Sequence, residues 1–281
     1  ERILNFAMLW MTAIICLVIL NDFCEPKPRA GVRHGRDARG GEFPFVVSLF
    51  EMYGASKGSE VFRFCTGSLI SLDLVLSAAH CVIDTPPKSL FVWHSDFTRS
   101  PLTTKMFANV TKVIVHPAFL DQAKNGMLND LSLLFVNKLP LDCFGRLSVV
   151  DHLSLVGLPV TYIGSGSMDN TRRGKDVLRP LQVGDAKIVT CSGQKEKQAI
   201  CIVAKCNDIQ HSPWVGDSGA PLLYDGRIIG VCSSGINNVI MMDESYAAVS
   251  PHIDWINKVM KQKYDPIPPS AKDEKYSILF V

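Results

Sequence analysis

An all-β fold closed by one helix near the C-terminus is what the sequence predicts. Between residues 43 and 250, short apolar runs alternate with Gly, Pro, Asn and Asp: "FPFVVSLF" (43–50), "SLDLVLSAAH" (71–80), "TKVIVHP" (111–117), "DLSLLFV" (130–136) and "RIIGVCSSG" (227–235). Many short strands separated by turn signals build a barrel or a sandwich. The helix is predicted from Ser250, a capping residue type. Pro251 suits the first helical position, and Ile253, Ile256, Val259 and Met260 share one apolar face.

The 281 residues, 47% of them hydrophobic, suffice for a sizeable core in one large or two-lobed domain. Twenty-nine basic residues against 27 acidic ones leave a formal charge of +2, which gives no reason to expect nucleic acid or an anionic membrane as partner. Near the start, "FAMLWMTAIICLVIL" (6–20) is an unbroken apolar run behind Arg2, shorter than the ~20 residues of a spanning helix. Residues 1–22 are therefore expected to be a cleaved signal peptide rather than an anchor. In an exported chain the eight cysteines beyond Cys16, out of nine, become disulfide candidates, and they lack the paired C-x-x-C clusters of a structural zinc site. "NVT" at Asn109 is a glycosylation acceptor pattern.

The chemistry concentrates in "SPWVGDSGAP" (212–221), where Ser218 stands between Asp217 and Gly219 with Gly216 two places upstream. A serine hydroxyl is a weak nucleophile without a base, and acyl transfer also needs donors where the carbonyl oxygen turns negative. Glycines at 216 and 219 allow a sharp turn that aims the N–H groups of Gly216 and Ser218 at one spot. "LSAAHC" (76–81) offers His80 as the base, and "NDLSLL" (129–134) offers Asp130 to fix its tautomer. Each signal is weak alone; the order His, Asp, Ser makes them specific together.

From Val32 to Met260 the chain resembles a chymotrypsin/trypsin-type serine peptidase, through "FPFVVSLF", "CTGSLIS", "LSAAHC", "HPAF", "NDLSLL", "GDSGAPL", "GVCSSG" and "HIDWI". The resemblance implies two six-stranded antiparallel β-barrels, with His80 and Asp130 from the first lobe and Ser218 from the second. It implies a short propeptide at 23–31, a peptidase domain at 32–262 and a Pro-containing tail at 263–281. It further implies a Cys65–Cys81 bridge beside the histidine and a bridge from Cys191 to Cys201 or Cys206. Cys24, Cys143 and Cys232 are left unassigned. Tyr224 and residues 159–160 stand where a second-lobe disulfide is usual, and Trp214 replaces a cysteine ahead of the nucleophile. Asp217 is expected to pair with an amino terminus released at Val32, although Gly31 rather than a basic residue precedes it. In the specificity pocket, Ser212 takes the base, 233–235 with Ser233 and Gly235 the neck, and Glu244 a wall usually left open by glycine. The competing reading of Glu244 is a solvated loop glutamate.

The expectation is a secreted serine endopeptidase that works through an acyl-enzyme without metal or other cofactor. Its expected partners are polypeptide substrates and protein protease inhibitors, with no nucleic acid, no membrane after signal removal, and a monomeric state. The alternative is a catalytically silent homologue that binds and regulates within a proteolytic cascade.

Overall fold

A computed structural model describes residues 35–53, 60–120, 128–166, 178–191, 199–204, 216–234 and 244–264. The chain begins with a two-residue strand, β1 (Arg36–Asp37). Then come β2 (Val46–Tyr53), β3 (Glu60–Ser71), β4 (Leu74–Ser77), β5 (Phe91–Trp93), β6 (Phe107–Val115) and β7 (Ser132–Val136). These six close an antiparallel barrel in the order β2-β3-β4-β7-β6-β5, with β5 returning to β2 where Leu49 faces Val92. The apolar runs explain the closure: β4, "LVLS", is buried throughout, and Leu49, Leu69, Leu76, Trp93 and Leu133 fill the interior. Two one-turn helices, α1 (Pro101–Thr104) and α2 (Pro117–Leu120), flank β6.

The second barrel comprises β8 (Pro159–Gly164), β9 (Gln182–Val189), β10 (Ala199–Ala204), β11 (Pro221–Tyr224), β12 (Arg227–Ser234) and β13 (Glu244–Ala248). Its order is β9-β10-β13-β12-β11-β8, and β8 closes it by pairing with β9 from Pro159 opposite Lys187 to Gly164 opposite Gln182. The chain thus folds into two closed six-stranded antiparallel barrels, with β1 added on β9. Asp225 and Gly226, at φ 48° and 67°, form the two-residue turn between β11 and β12, the turn whose twist matches paired strands. Where the usual second-lobe disulfide is missing, Leu223 pairs with Thr161 and the Tyr224 ring packs on the core of this barrel.

A 3₁₀ turn at Ser250–His252 leads into α3 (Ile253–Tyr264), whose Ile256 and Val259 are buried in the larger core cluster, which is built mainly from first-barrel residues. The predicted cap is corrected here. The turn starts after Val249 with no side-chain cap, and the Ser250 hydroxyl accepts the His152 N–H at 3.3 Å instead. The donor two places on, which such a cap would serve, is already used: His252 N is bonded to Val249 O at 2.9 Å.

Candidate active site

His80 follows β4 in a turn held from two sides. The Cys65–Cys81 disulfide ties its neighbour to β3, and Ser132 of β7 donates its hydroxyl to the Ala78 carbonyl at 2.9 Å. Asp130 lies just ahead of β7 and is 0% exposed. Such a carboxylate is costly to bury unless donors surround it, and here three do. His80 N donates to Oδ1 at 2.9 Å, while His80 Nδ1 at 2.6 Å and Ser233 Oγ at 2.7 Å both reach Oδ2. With Nδ1 donating, Nε2 keeps its lone pair for a proton from elsewhere. Preceding it, Asn129 adopts φ 56°, and its Oδ1 lies 2.9 Å from His252 Nε2.

From the second barrel comes the turn bearing Ser218, whose side chain is partly exposed. Gly216 and Gly219 have φ of 97° and 83°, a region that side-chain-bearing residues rarely adopt. A Cβ at Gly219 would also overlap the Thr66 carbonyl and the Ser77 hydroxyl. The turn is pinned by Gly219 N to Cys232 O at 2.7 Å and Ala220 N to Asp217 O at 2.9 Å. Across the barrel junction, Thr66 N donates to Ser218 O at 2.8 Å. Buried Asp217 accepts the Gly166 N–H at 2.6 Å and packs against Gly164, where any Cβ would strike its carboxylate. The Arg179 guanidinium is close enough for Asp217 and Asp37 to raise its pKa, against a larger lowering by burial.

His80 Nε2 is 3.9 Å from Cys81 Sγ, and no hydrogen bond joins it to Ser218 Oγ among the described residues. Unliganded sites of this chemistry often show long or open contacts at this step. Cys65, His80 and Cys81 cluster as a metal site would, but both sulfurs are spent in their mutual disulfide.

Glu244 is not a solvated loop residue. It sits in β13 opposite Ile202, only 9% exposed. Its charge, together with those of Asp217 and Asp130, adds to burial in pushing the Cys232 thiol well above its ordinary range. Burial likewise pushes up the Tyr246 hydroxyl, with Cys232 and Glu244 adding to the effect. Ser233, expected at the pocket neck, turns its hydroxyl to Asp130. Sequence reasoning missed that bond, and it missed Thr66 and Ser165 altogether. Of the Cys191 alternatives, Cys201 is the partner, because β10 sets Cys201 opposite Val189 of β9, two residues before Cys191. Cys143 is exposed and Cys232 buried, both unbridged. Asn109 is exposed on β6. Val32, Ser212, Gly235, Trp214, Cys24 and Cys206 lie outside the described residues, as do the proposed signal and propeptide segments.

Two antiparallel barrels meeting at a buried aspartate, a histidine on it and a glycine-flanked serine define the class as the chymotrypsin-like serine peptidase fold. The chain belongs to the trypsin family, whose pattern it matches over residues 32–256. It is 26% identical to chymotrypsin-like elastase family member 1 of Canis lupus familiaris, over 84% of this chain and 94% of that protein. The same protein of Macaca fascicularis is 27% identical over 84% of this chain and 91% of its own length. Neutrophil elastase of Mus musculus is 25% identical over 86% and 87%. Among solved structures, a mutant of human heparin binding protein superposes with TM-score 0.65 at 23% identity, covering 84% of this chain and 99% of that one. The VesB protease of Vibrio cholerae gives TM-score 0.62 at 22% identity, covering 81% and 67%. These last two likenesses speak to the fold.

Proposed function

We propose that the protein is a secreted serine endopeptidase in which Ser218 attacks the peptide carbonyl, His80 carries the proton and Asp130 orients His80. The observation that carries the reading is the His80–Asp130 pair, with three donors converging on one fully buried carboxylate. In the first step the Ser218 proton moves to His80 Nε2 as Oγ bonds to the carbonyl carbon. The oxyanion is held by the Gly216 and Ser218 N–H groups, and His80 then gives its proton to the departing amine. A water molecule repeats the sequence on the acyl-enzyme, with His80 taking the proton, and frees Ser218. The two disulfides fit an oxidising, extracellular setting, and no helix among the described residues is long and apolar enough to cross a membrane. Asp217 would be neutralised by the ammonium of Val32 after cleavage behind Gly31, and exposed Asn109 would carry a glycan.

Glu244, buried in the strand that borders Ser233 and Cys232, would serve as the pocket's acid opposite Ser212. Lys or Arg ahead of the scissile bond would pair with it, and large apolar side chains would still fit. A second reading, a binding homologue without turnover, draws on Gly31 in place of a basic residue and on the open Ser218–His80 contact.

Labelling with an active-site phosphonate separates the two readings, because only a working nucleophile forms the adduct. Ser218→Ala should abolish labelling and lower amidase turnover by ~10⁶-fold. Retention of more than about a thousandth of the rate would demand another nucleophile. Glu244→Gln keeps the volume and removes the charge. Cleavage after Lys should drop by roughly tenfold or more while cleavage after Phe holds. Equal changes in both would put Glu244 outside the pocket.

A further inference from the structure

Resting on that reading of Ser218, we propose that Thr66 is a positioning residue for the oxyanion site. Its hydroxyl locks the glycine at 216 in the orientation that presents the Gly216 N–H to substrate.

Three successive peptide units around the serine each have their carbonyl held. Thr66 Oγ1 donates to Gly216 O at 2.8 Å, Ala220 N to Asp217 O at 2.9 Å, and Thr66 N to Ser218 O at 2.8 Å. A trans peptide is planar, so fixing the Asp217 carbonyl also fixes the Ser218 N–H, which points the opposite way in the same plane. The Gly216 N–H shares its peptide plane with the carbonyl of residue 215, which lies outside the described residues. Its direction depends on rotation about Gly216, and glycine at φ 97° has other basins open to it at little cost. Among the described residues, the side chain that holds the glycine does so through its carbonyl, from β3, 150 residues away in sequence.

The lock is itself braced. Thr66 is fully buried, and its Oγ1 lies 2.6 Å from the hydroxyl of Ser165, which is also buried. A threonine hydroxyl has one proton. With that proton on Gly216 O, the 2.6 Å contact draws on the Ser165 proton, for which Ser48 Oγ at 3.2 Å is the competing and more distant acceptor. Ser165 stands between Gly164, against which the Asp217 carboxylate packs, and Gly166, whose N–H Asp217 accepts. The same three-residue stretch therefore grips the loop through Asp217 and, via Thr66, through Gly216. Behind it, Ser48 Oγ is 3.2 Å from Ser165 Oγ and accepts Arg63 Nε at 2.7 Å, while Ser77 Oγ donates to Thr66 O at 2.7 Å.

The test compares Thr66→Val, which keeps the shape and the backbone N–H but loses the hydroxyl, with Thr66→Ser, which keeps the hydroxyl. In the full chain, Thr66→Val should lower kcat by roughly ten- to a hundredfold with KM within about twofold. That is just below the ~10²–10³ lost when an oxyanion donor is removed outright. Phosphonate labelling should slow in step, and Thr66→Ser should restore both to within a few-fold. Hydrogen exchange of the peptide covering 216–220 should quicken in Thr66→Val and return towards wild type in Thr66→Ser, whatever the catalytic outcome. Should Thr66→Val fail to fold, Ser165→Ala removes the brace and should move both readouts in the same direction by less. Unchanged exchange and unchanged kcat in the valine variant would overturn the proposal, as would losses that serine does not rescue. If wild type takes up no phosphonate while exchange responds as expected, the lock stands and the nucleophile reading falls.

Discussion

The two barrels bring their parts of the site to the junction by different means. On the first, His80 is backed by a covalent bridge, Cys65–Cys81, and sits on a carboxylate with three donors. On the second, the described part of the turn bearing Ser218 is held by backbone bonds, two positive-φ glycines and the hydroxyl of a first-barrel threonine. A disulfide acts largely by restricting the unfolded chain. A hydrogen-bonded turn acts only in the folded one, where each bond is modest and losing a partner is what costs. The turn carrying His80 thus has a covalent tie, whereas the geometry at Ser218 depends on every member of a buried polar set staying in place.

Removing the covalent tie is the strongest way to break this contrast. With its cysteines at a sequence separation of 16, the bridge should contribute about 3 kcal/mol, so a Cys65→Ser, Cys81→Ser variant should lose about that much in a urea titration. Its loss of activity should follow the fraction unfolded. A variant that stays fully folded yet inactive would show that the bridge positions His80 directly.

A smaller effect sharpens the contrast within the first barrel, where one support responds to pH and the bridge does not. The rings of His116 and Trp255 lie 4.7 Å apart, and so do those of His116 and His252, whose Nε2 meets Asn129 beside Asp130. Burial, then the neighbouring His252, pushes the His116 pKa down to about 4. In the unfolded chain it returns to an ordinary ~6.5. Between those values the unfolded state binds the extra proton, so the contribution is present above pH ~6.5 and is lost as pH falls toward about 4. His252 is shifted the same way by burial. Melting temperature should therefore fall across this window, and His116→Phe should make the slope shallower. An unchanged slope would mean that His116 keeps its ordinary titration in the fold.

The strands were legible because apolar runs such as "DLSLLFV" declare their burial locally, and the two barrels followed from the family resemblance carried by eight motifs. His80 and Asp130 were legible as residue types in a recognisable order, and the structure sets them 2.6 Å apart. The hydroxyls were not. Thr66 reaches Ser165 across 99 residues and Gly216 across 150, and Ser233 reaches Asp130 across 103. Serine and threonine carry no periodic signature, and their partners are fixed only once the barrels close. Ser250 misled for the opposite reason: a strong local preference for capping lost to a tertiary contact with His152. Choosing between Cys201 and Cys206 needed the β9–β10 register, which spacing does not encode.

The pairing of β1 with β9 works as a leash. Arg36 is opposite Val183, Ala38 N is bonded to Leu181 O at 2.7 Å, and Gln182 Nε2 reaches Asp37 Oδ1 at 2.7 Å, so the chain is moored there by its backbone. Four residue steps separate Arg36 from Val32, and at ~3.5 Å per step the outer end can travel no more than ~14 Å from its mooring. Were the chain cut ahead of Val32, as proposed, the new terminus would be confined to that small sphere whatever agent made the cut. On that proposal, where the terminus could be placed is a matter of the length of the leash, separate from which residues a cutting agent would recognise around Gly31.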